Sequence, residues 1–199
     1  MKRIFDLIVA GGFLITLFIP MVMILILVRM TSIGPAFYWS KRIGKNNKIF
    51  KMPKFRTMRN DTPPVATHLL SGVEEVLTPI GGFLRRTSLD ELPQLISILN
   101  GDMSFVGPRP ALFNQEDLIT LRTEKGVNKL IPGLTGWAQI NGRDDLSIAE
   151  KVELDVEYME MWSYWFDMKI LWMTFLKVIR KDGVHINFGC IEQERTSQL

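Results

Sequence analysis

The chain has 199 residues, of which 47% are hydrophobic and 23% charged, and its formal net charge is +3. This composition excludes a disordered chain and is sufficient for one packed domain. Basic residues occur as scattered pairs among acidic ones, which argues against nucleic acid as a partner. One cysteine and two histidines exclude a disulfide framework and argue against a Cys- or His-ligated metal, so any metal would be a hard cation held by oxygens.

The first predicted element is an uncharged apolar segment at residues 7–28. It is long enough to cross a hydrocarbon core of about 30 Å as one helix. Lys2 and Arg3 precede it, and Arg29 with four further basic residues follows it. The positive-inside rule favours keeping both basic flanks on the cytoplasmic side, which requires a helix that enters and leaves by the same face.

Pro20 lies inside this segment, where it removes one backbone hydrogen bond and can bend the helix. The Thr16 hydroxyl is expected to satisfy a group that the bend frees. A re-entrant helix bent at Pro20 and a simple transmembrane anchor in which the proline is tolerated both agree with the residues. Either topology leaves the rest of the chain in the cytoplasm.

Residues 36–58 alternate apolar and basic side chains around a turn at 44–47, which predicts a β-hairpin. Most of its basic residues are interpreted as a solvated edge beside anionic lipid. The basic residues are Lys41, Arg42, Lys48, Lys51, Lys54, Arg56 and Arg59. Residues 60–76 follow as a predicted mobile loop, of the length that lids and binding elements often have.

Ser88 to Glu91 match a capping box, with Ser88 as N-cap and Glu91 three positions on, before an apolar helical run. Pro93 also allows the helix to start nearer Leu92. In both cases Asp90 lies beside exposed N–H groups, which stabilise a carboxylate and attract phosphate. An ordinary charged helix start is the plainer interpretation of this pattern.

Two later segments are defined by glycine and proline. In 107–110 two prolines bracket Arg109, so the backbone is extended and stiff and holds one guanidinium in a fixed place, suited to phosphate. A structural turn with a surface arginine is the alternative. Residues 131–143 carry three glycines and end on Arg143, which predicts a loop more than a regular element.

Residues 147–181 have a helical pattern that is broken near Trp162 and Ser163. The second helix is amphipathic, with Trp165, Trp172 and neighbouring apolar residues on one side. Asp167 lies on the other side, with Lys169, Thr174, Lys177, Arg180 and Lys181. The Trp-rich side is expected to lie in a membrane interface, with packing on the domain core as the alternative.

Four motifs occur in order after the apolar segment: KFRTMR, LRRTSLDELPQL, GDMSFVGPRP and PGLTGWAQINGR. Together they closely resemble the bacterial sugar transferase family, the small monotopic phosphoglycosyl transferases, over residues 1 to about 180. The resemblance implies an α+β, mainly helical fold. It divides the chain into a re-entrant membrane helix at 1–30, a cytosolic catalytic domain at 31–183 and a C-terminal tail at 184–199. The catalytic domain is expected to contain a small β-hairpin region and interfacial amphipathic helices. Some relatives carry extra transmembrane helices before this unit, and this sequence is similar to the version without them.

The resemblance also implies an activity. Such enzymes move a sugar 1-phosphate from a UDP-sugar to polyprenyl (undecaprenyl) phosphate and release UMP, at the cytoplasmic face of the bacterial inner membrane, as the first membrane step of glycoconjugate assembly. It implies that Asp90 attacks the sugar-bearing phosphorus, with Glu91 holding Mg²⁺ or handling a proton. Arg109 is expected to bind phosphate, and further candidates for diphosphate or uridine contacts are Lys54, Arg56, Arg85, Arg86 and Arg143.

Two alternatives to this function stay open. In the first alternative, the chain is a membrane-tethered scaffold without catalysis. In the second, it is an enzyme that uses direct displacement, with Asp90 only as a metal ligand. The sequence does not identify the sugar, the pathway or the oligomeric state, a homodimer included. It also does not separate the roles of Asp90 and Glu91.

Overall fold

A computed structural model describes residues 1–59, 61–62, 73–142 and 146–180. In these ranges the chain is mainly helical with two two-stranded sheets, as expected for the α+β class. The helices are α1 (Lys2–Thr16), α2 (Phe18–Thr31), α3 (Gly81–Arg86), α4 (Gln94–Asn100), α5 (Glu116–Glu124), α6 (Trp137–Ile140), α7 (Ile148–Met161) and α8 (Tyr164–Arg180). The strands are β1 (Phe37–Ile43), β2 (Ile49–Phe55), β3 (Ser104–Val106) and β4 (Gly133–Thr135). The predicted tail at 184–199 and most of the predicted loop at 60–76 lie outside the described residues.

The N-terminal apolar segment forms two helices that meet at Leu17 with a bend of 62°. The bend follows from Pro20, which has no N–H to donate to the carbonyl of Thr16. The Thr16 hydroxyl donates to the carbonyls of Gly12 and Phe13, at 3.0 and 3.3 Å. Since these carbonyls lie within α1 and are not freed by the bend, the prediction for this hydroxyl was wrong.

Over the described ranges, neither α1 nor α2, nor any other single helix, combines the length and apolar composition needed to cross a bilayer. The bent pair of α1 and α2 meets that requirement only when both helices are taken together. A bent pair of this kind is compatible both with a broken helix that spans the membrane and with a re-entrant helix.

Both basic residues before the apolar segment bind the rest of the protein. Lys2 Nζ donates to the Val106 carbonyl at 2.8 Å, to the Tyr158 hydroxyl at 2.9 Å and to Asp167 Oδ2 at 2.8 Å. Arg3 donates to backbone carbonyls in the last turn of α4. The start of α1 is thereby attached to β3, α4, α7 and α8.

The predicted hairpin is confirmed: β1 and β2 are antiparallel, and Phe37 pairs with Phe55 at the open end. There α2 packs on the hairpin through a small apolar cluster that includes Phe55 and Val28. Lys54 and Arg56, the two hairpin residues that were also candidates for substrate contacts, are not solvated: Arg56 is 4% exposed and the Lys54 side chain is 15% exposed. Lys54 lies on the same face of the hairpin as the buried Ser40 and Met52, so this buried face carries charge.

The predicted capping box at Ser88 was wrong. Ser88 has φ 55° and caps nothing, residues Leu89–Glu91 form a 3₁₀ turn, and α4 begins only at Gln94. Pro93 stands at the N-cap of α4, closer to the alternative start. A true capping box lies instead at the start of α7, between Ser147 and Glu150.

The prediction of a loop at 131–143 was also wrong in part, because β4 and α6 lie within it. Strand β4 pairs with β3 in parallel, with Ser104 opposite Gly133. A Cβ on Gly133 would lie 2.1 Å from the nitrogen of Gly107, so only glycine permits this close approach. Backbone bonds from Gly107 to Thr135 and from Gly133 to Pro108, both 2.9 Å, extend the pairing to the 107–110 segment.

The predicted break between the last two helices is confirmed at residues 162–163. Helix α8 directs Ile170 and Asp167, 0% and 3% exposed, toward the core. Trp165 is 80% exposed and Trp172 is 61% exposed. Packing on the core is therefore wrong for these two tryptophans, whereas Leu171 on the same side packs against the core. Asp167, expected on the outer polar side, is buried because Lys2 and Tyr158 bind it.

Candidate active site

The 3₁₀ turn at Leu89–Glu91 presents two acidic side chains between α3 and α4. Glu91 Oε1 accepts hydrogen bonds from Lys54 Nζ at 2.6 Å and from Arg109 Nη2 at 3.0 Å. Lys54 comes from β2, and Arg109 comes from the extended segment after β3. Three distant parts of the sequence therefore converge on one carboxylate.

The two acids have different electrostatic environments. Burial by itself would raise the pKa of Glu91, but Lys54 and Arg109 outweigh it and hold this pKa well below its usual range. Burial raises the pKa of Asp90, and the nearby cations only partly offset this effect. Glu91 is thus the carboxylate that two cations stabilise as an anion, whereas burial disfavours the ionised form of Asp90.

Arg85, from the last turn of α3, is also part of the cluster. Its Nε donates to Thr57 Oγ1 at 3.1 Å, and its guanidinium interacts electrostatically with Asp90 and Glu91. Lys54, Arg85 and Arg109 therefore bring three positive charges to two negative ones. Such an excess of buried positive charge favours binding of an anion.

Arg42 is a site residue that the sequence interpretation missed, because it was assigned to a solvated edge. It lies on the same face of the hairpin as Ser40, whose hydroxyl accepts from its Nε at 3.0 Å. Burial and the neighbouring Arg109 lower the pKa of Arg42 to about 10. The strict alternation of β1 was the signal available, since Ser40 and Arg42 share one face of the strand.

The segment that carries Arg109 is held by two further arginines. Arg42 Nη1 donates to the Pro110 carbonyl at 3.1 Å, and Arg122 Nη1 donates to the Arg109 carbonyl at 2.8 Å. Arg122 is itself fixed by Asp155 Oδ2, at 2.6 Å and 2.9 Å. The stiffness predicted from the two prolines is therefore reinforced by side chains from β1 and α5 that the sequence did not point to.

Five of the predicted site residues are brought together: Asp90, Glu91, Lys54, Arg85 and Arg109. Of the other three, two lie elsewhere and one is outside the described residues. Arg56 Nη2 donates to Ser32 Oγ at 2.7 Å, at the end of α2. Arg86 is exposed at the end of α3, and Arg143 lies outside the described residues.

Metal binding by protein groups alone has little support. In the described part of the chain, no three His, Cys, Asp or Glu residues lie together as a metal site would need. Asp90 and Glu91 nevertheless supply carboxylate oxygens, and Mg²⁺ is commonly held by one or two carboxylates together with substrate phosphates and water. The pair therefore fits Mg²⁺ with a phosphate ligand bound, and not a closed protein cage.

The chain is similar to known proteins over most of its length. Residues 1–181 match the family model described as bacterial sugar transferase. The chain is 41% identical to the "Uncharacterized sugar transferase EpsL" of Bacillus subtilis, over 92% of this chain and 90% of the relative. It is 39% identical to the "Exopolysaccharide production protein ExoY" of Rhizobium meliloti, over 92% of this chain and 87% of that relative.

A longer relative carries a more specific name. The chain is 40% identical to the "UDP-glucose:undecaprenyl-phosphate glucose-1-phosphate transferase" of Escherichia coli, over 89% of this chain. The match covers 40% of that relative. The similarity is thus to one part of a larger protein.

Proposed function

Because this chain belongs to the bacterial sugar transferase family and is an enzyme of the sugar-phosphate transferase kind, we propose that it moves a sugar 1-phosphate from a UDP-sugar to undecaprenyl phosphate. The observation that carries this proposal is the buried Asp90 beside Glu91 and the cations Lys54, Arg85 and Arg109. Both substrates are phosphate anions, and this cluster has the charge to bind them.

The proposed reaction has two displacements at the same phosphorus. In the first, a carboxylate oxygen of Asp90 attacks the sugar-bearing phosphorus, the bond from that phosphorus to the bridging oxygen breaks, and UMP leaves. In the second, an oxygen of the lipid phosphate attacks the phosphosugar-aspartate, which releases the Asp90 carboxylate. The cations oppose the charge that builds up on the phosphoryl oxygens in both steps.

Glu91 is proposed to act through its neighbours. Its low pKa makes it a poor proton carrier near neutral pH. Its bonds to Lys54 and Arg109 hold both cations at one carboxylate oxygen. Asp90 and Glu91 are the residues proposed to hold Mg²⁺, which when bound would neutralise phosphate charge.

The proposed location is the cytoplasmic face of the bacterial inner membrane, with α1 and α2 as a re-entrant pair. Support comes from their 62° bend and from the binding of Lys2 to α8, which keeps the start of α1 beside the catalytic body. The exposed Trp165 and Trp172 are suited to the lipid interface, where tryptophan is enriched. This placement would bring the site to the level of a lipid phosphate.

We expect the purified protein to release more than one UMP per enzyme molecule from a UDP-sugar only when undecaprenyl phosphate is present. Chelation by EDTA should stop turnover and added Mg²⁺ should restore it. The measurement is UMP release together with extraction of sugar-labelled lipid, over a panel of UDP-sugars. Absence of both products with every donor would leave the scaffold alternative, and turnover unaffected by EDTA would remove Mg²⁺ from the proposal.

Arg109→Lys is expected to lower kcat/KM for the donor at least about tenfold, although charge is preserved. Lysine lacks the planar fork that binds phosphate in two places, and it would lose part of the geometry at Glu91. Steady-state kinetics would be compared with Arg59→Lys, a change at an arginine whose side chain is 63% exposed. Unchanged kinetics for Arg109→Lys would give Arg109 a purely structural role.

Pro20→Leu tests the membrane topology. The variant regains a helical hydrogen bond and straightens a segment long enough to span, so its N-terminus should partly reach the outer face and activity should fall. After replacement of Cys190, an impermeant thiol reagent would probe a cysteine at Ile4 or at Lys45. Ile19→Leu, at an exposed apolar position of α2, is the control. External labelling at Ile4 without the Pro20 change would contradict the re-entrant topology.

A further inference from the structure

A recess of about 350 Å³, counting the part open to solvent, lies beside the acidic pair and shares Arg109 with it. Pro108 and Pro110 form one wall, and Asn47 and Asn128 contribute amide groups. Neither Asp90, Glu91, Lys54 nor Arg85 lines it. The recess is therefore separated from the proposed reacting centre by Arg109.

The β-hairpin shows on which side the recess lies. The open end of the hairpin, at Phe55, packs against α2, the proposed membrane helix. Lys54 stands opposite Tyr38 near that end, whereas Gly44 in the recess is six residues farther along. At about 3.4 Å per strand residue, Gly44 lies roughly 20 Å along the hairpin from the level of Tyr38, at the end away from the contact with α2. The recess is thus placed for the water-soluble part of a substrate and not for a lipid chain.

The guanidinium of Arg109 contacts Glu91 and also lines the recess, and the guanidinium of Arg42 is near it. Arg42 and Arg109 interact electrostatically with each other, and Arg42 Nη1 binds the Pro110 carbonyl at 3.1 Å. Two neighbouring positive charges favour a diphosphate between them and the acidic pair. A donor with its reacting phosphorus at Asp90 would then pass Arg109 before it reaches the recess.

The chemical structure of the proposed donor indicates which of its groups can reach the recess. The sugar is bonded directly to the phosphorus that Asp90 attacks, so it must stay close to Asp90. The nucleoside is separated from that phosphorus by a second phosphate. We infer that the recess between Pro108, Pro110, Asn47 and Asn128 binds the uridine of the donor, an inference that rests on the proposed function.

The lining agrees with a pyrimidine. Flat apolar rings bury well against proline and aliphatic side chains, of which the recess has several, and few polar groups then fix the orientation. The Asn128 amide carries both a donor and an acceptor, which matches the neighbouring N–H and C=O groups on the edge of uracil. The Asn47 amide nitrogen donates to Thr123 Oγ1 at 2.9 Å, so Asn47 offers its amide oxygen as an acceptor. The wall is held in place before any ligand binds, because Arg122 and Gly133 bond to the carbonyls of Arg109 and Pro108.

The test compares binding of UMP with binding of ribose 5-phosphate, which keeps the sugar and phosphate but lacks the base. The full-length protein in detergent would be titrated with each by calorimetry. Asn128→Ala removes one amide. Asn47→Gly removes the other and keeps its φ of 60°, which alanine would strain. Asn100→Ala, at an exposed residue at the end of α4, is the matched control.

The unchanged protein should bind UMP at least about tenfold more tightly than ribose 5-phosphate. Asn128→Ala and Asn47→Gly should each reduce that preference about fivefold, and Asn100→Ala should not. A retained preference, or equal weakening of both ligands, would overturn the inference. If the preference behaves as expected but no lipid product forms, the recess assignment stands and the proposed function fails.

Discussion

Asp90→Asn is expected to abolish turnover, with a loss of at least about a thousandfold, and to abolish labelling of the protein by donor. The amide keeps the shape of the side chain but cannot act as a nucleophile. The measurement incubates the protein with a UDP-sugar labelled in the phosphate next to the sugar, without lipid acceptor. Protein-bound label is then counted after denaturation, beside UMP release in the complete reaction.

The matched control for this variant is Asp117→Asn, which changes an exposed aspartate in the first turn of α5. It should keep both labelling and turnover. The alternative of direct displacement makes a different prediction, because the protein then takes up no label although turnover is normal. Product formation by Asp90→Asn at the rate of the unchanged protein would end the covalent mechanism.

Glu91→Gln is expected to lower stability as well as activity. It leaves Lys54 and Arg109 without the carboxylate that each contacts, at 2.6 and 3.0 Å. Breaking a buried ion pair on one side costs about 3 kcal/mol, which for a chain of this size lowers the melting temperature by about 6–12 °C. Thermal unfolding in detergent would be measured beside kcat.

Two further variants make this expectation specific. Glu153→Gln, at an exposed position of α7, should change neither quantity. The double variant Glu91→Leu with Lys54→Met removes the Glu91–Lys54 pair entirely and leaves only Arg109 without the Glu91 carboxylate. It should therefore recover part of the stability and none of the activity. A Glu91→Gln protein as stable and active as the unchanged one would show that the ion pairs have no role.

The local features of the chain were predictable from the sequence because their causes are local. Pro20 lacks an N–H wherever the helix lies, so the bend near Leu17 follows from one residue. Alternation and a turn at 44–47 indicate a hairpin without reference to the rest of the chain. The family resemblance also rests on short motifs that can be read in order.

The partners of charged groups were decided only by the tertiary structure. Ser88 and Glu91 have the spacing of a capping box, but Glu91 instead binds Lys54 and Arg109. Two buried charge-assisted bonds are stronger than one bond to a backbone N–H at a helix end. The sequence cannot show this competition, since Lys54 is 37 residues away and Arg109 is 18.

The orientation of whole elements was also beyond the sequence. The periodicity of α8 shows an apolar and a polar side, but not which side meets the core. Asp167 is buried because Lys2 and Tyr158 bind it, and this leaves Trp165 and Trp172 exposed. The sequence by itself determined the bend, the hairpin, the helix break and the acidic pair. Only the folded chain decided which cations surround that pair, because long-range ion pairs depend on residues that periodicity and spacing do not connect.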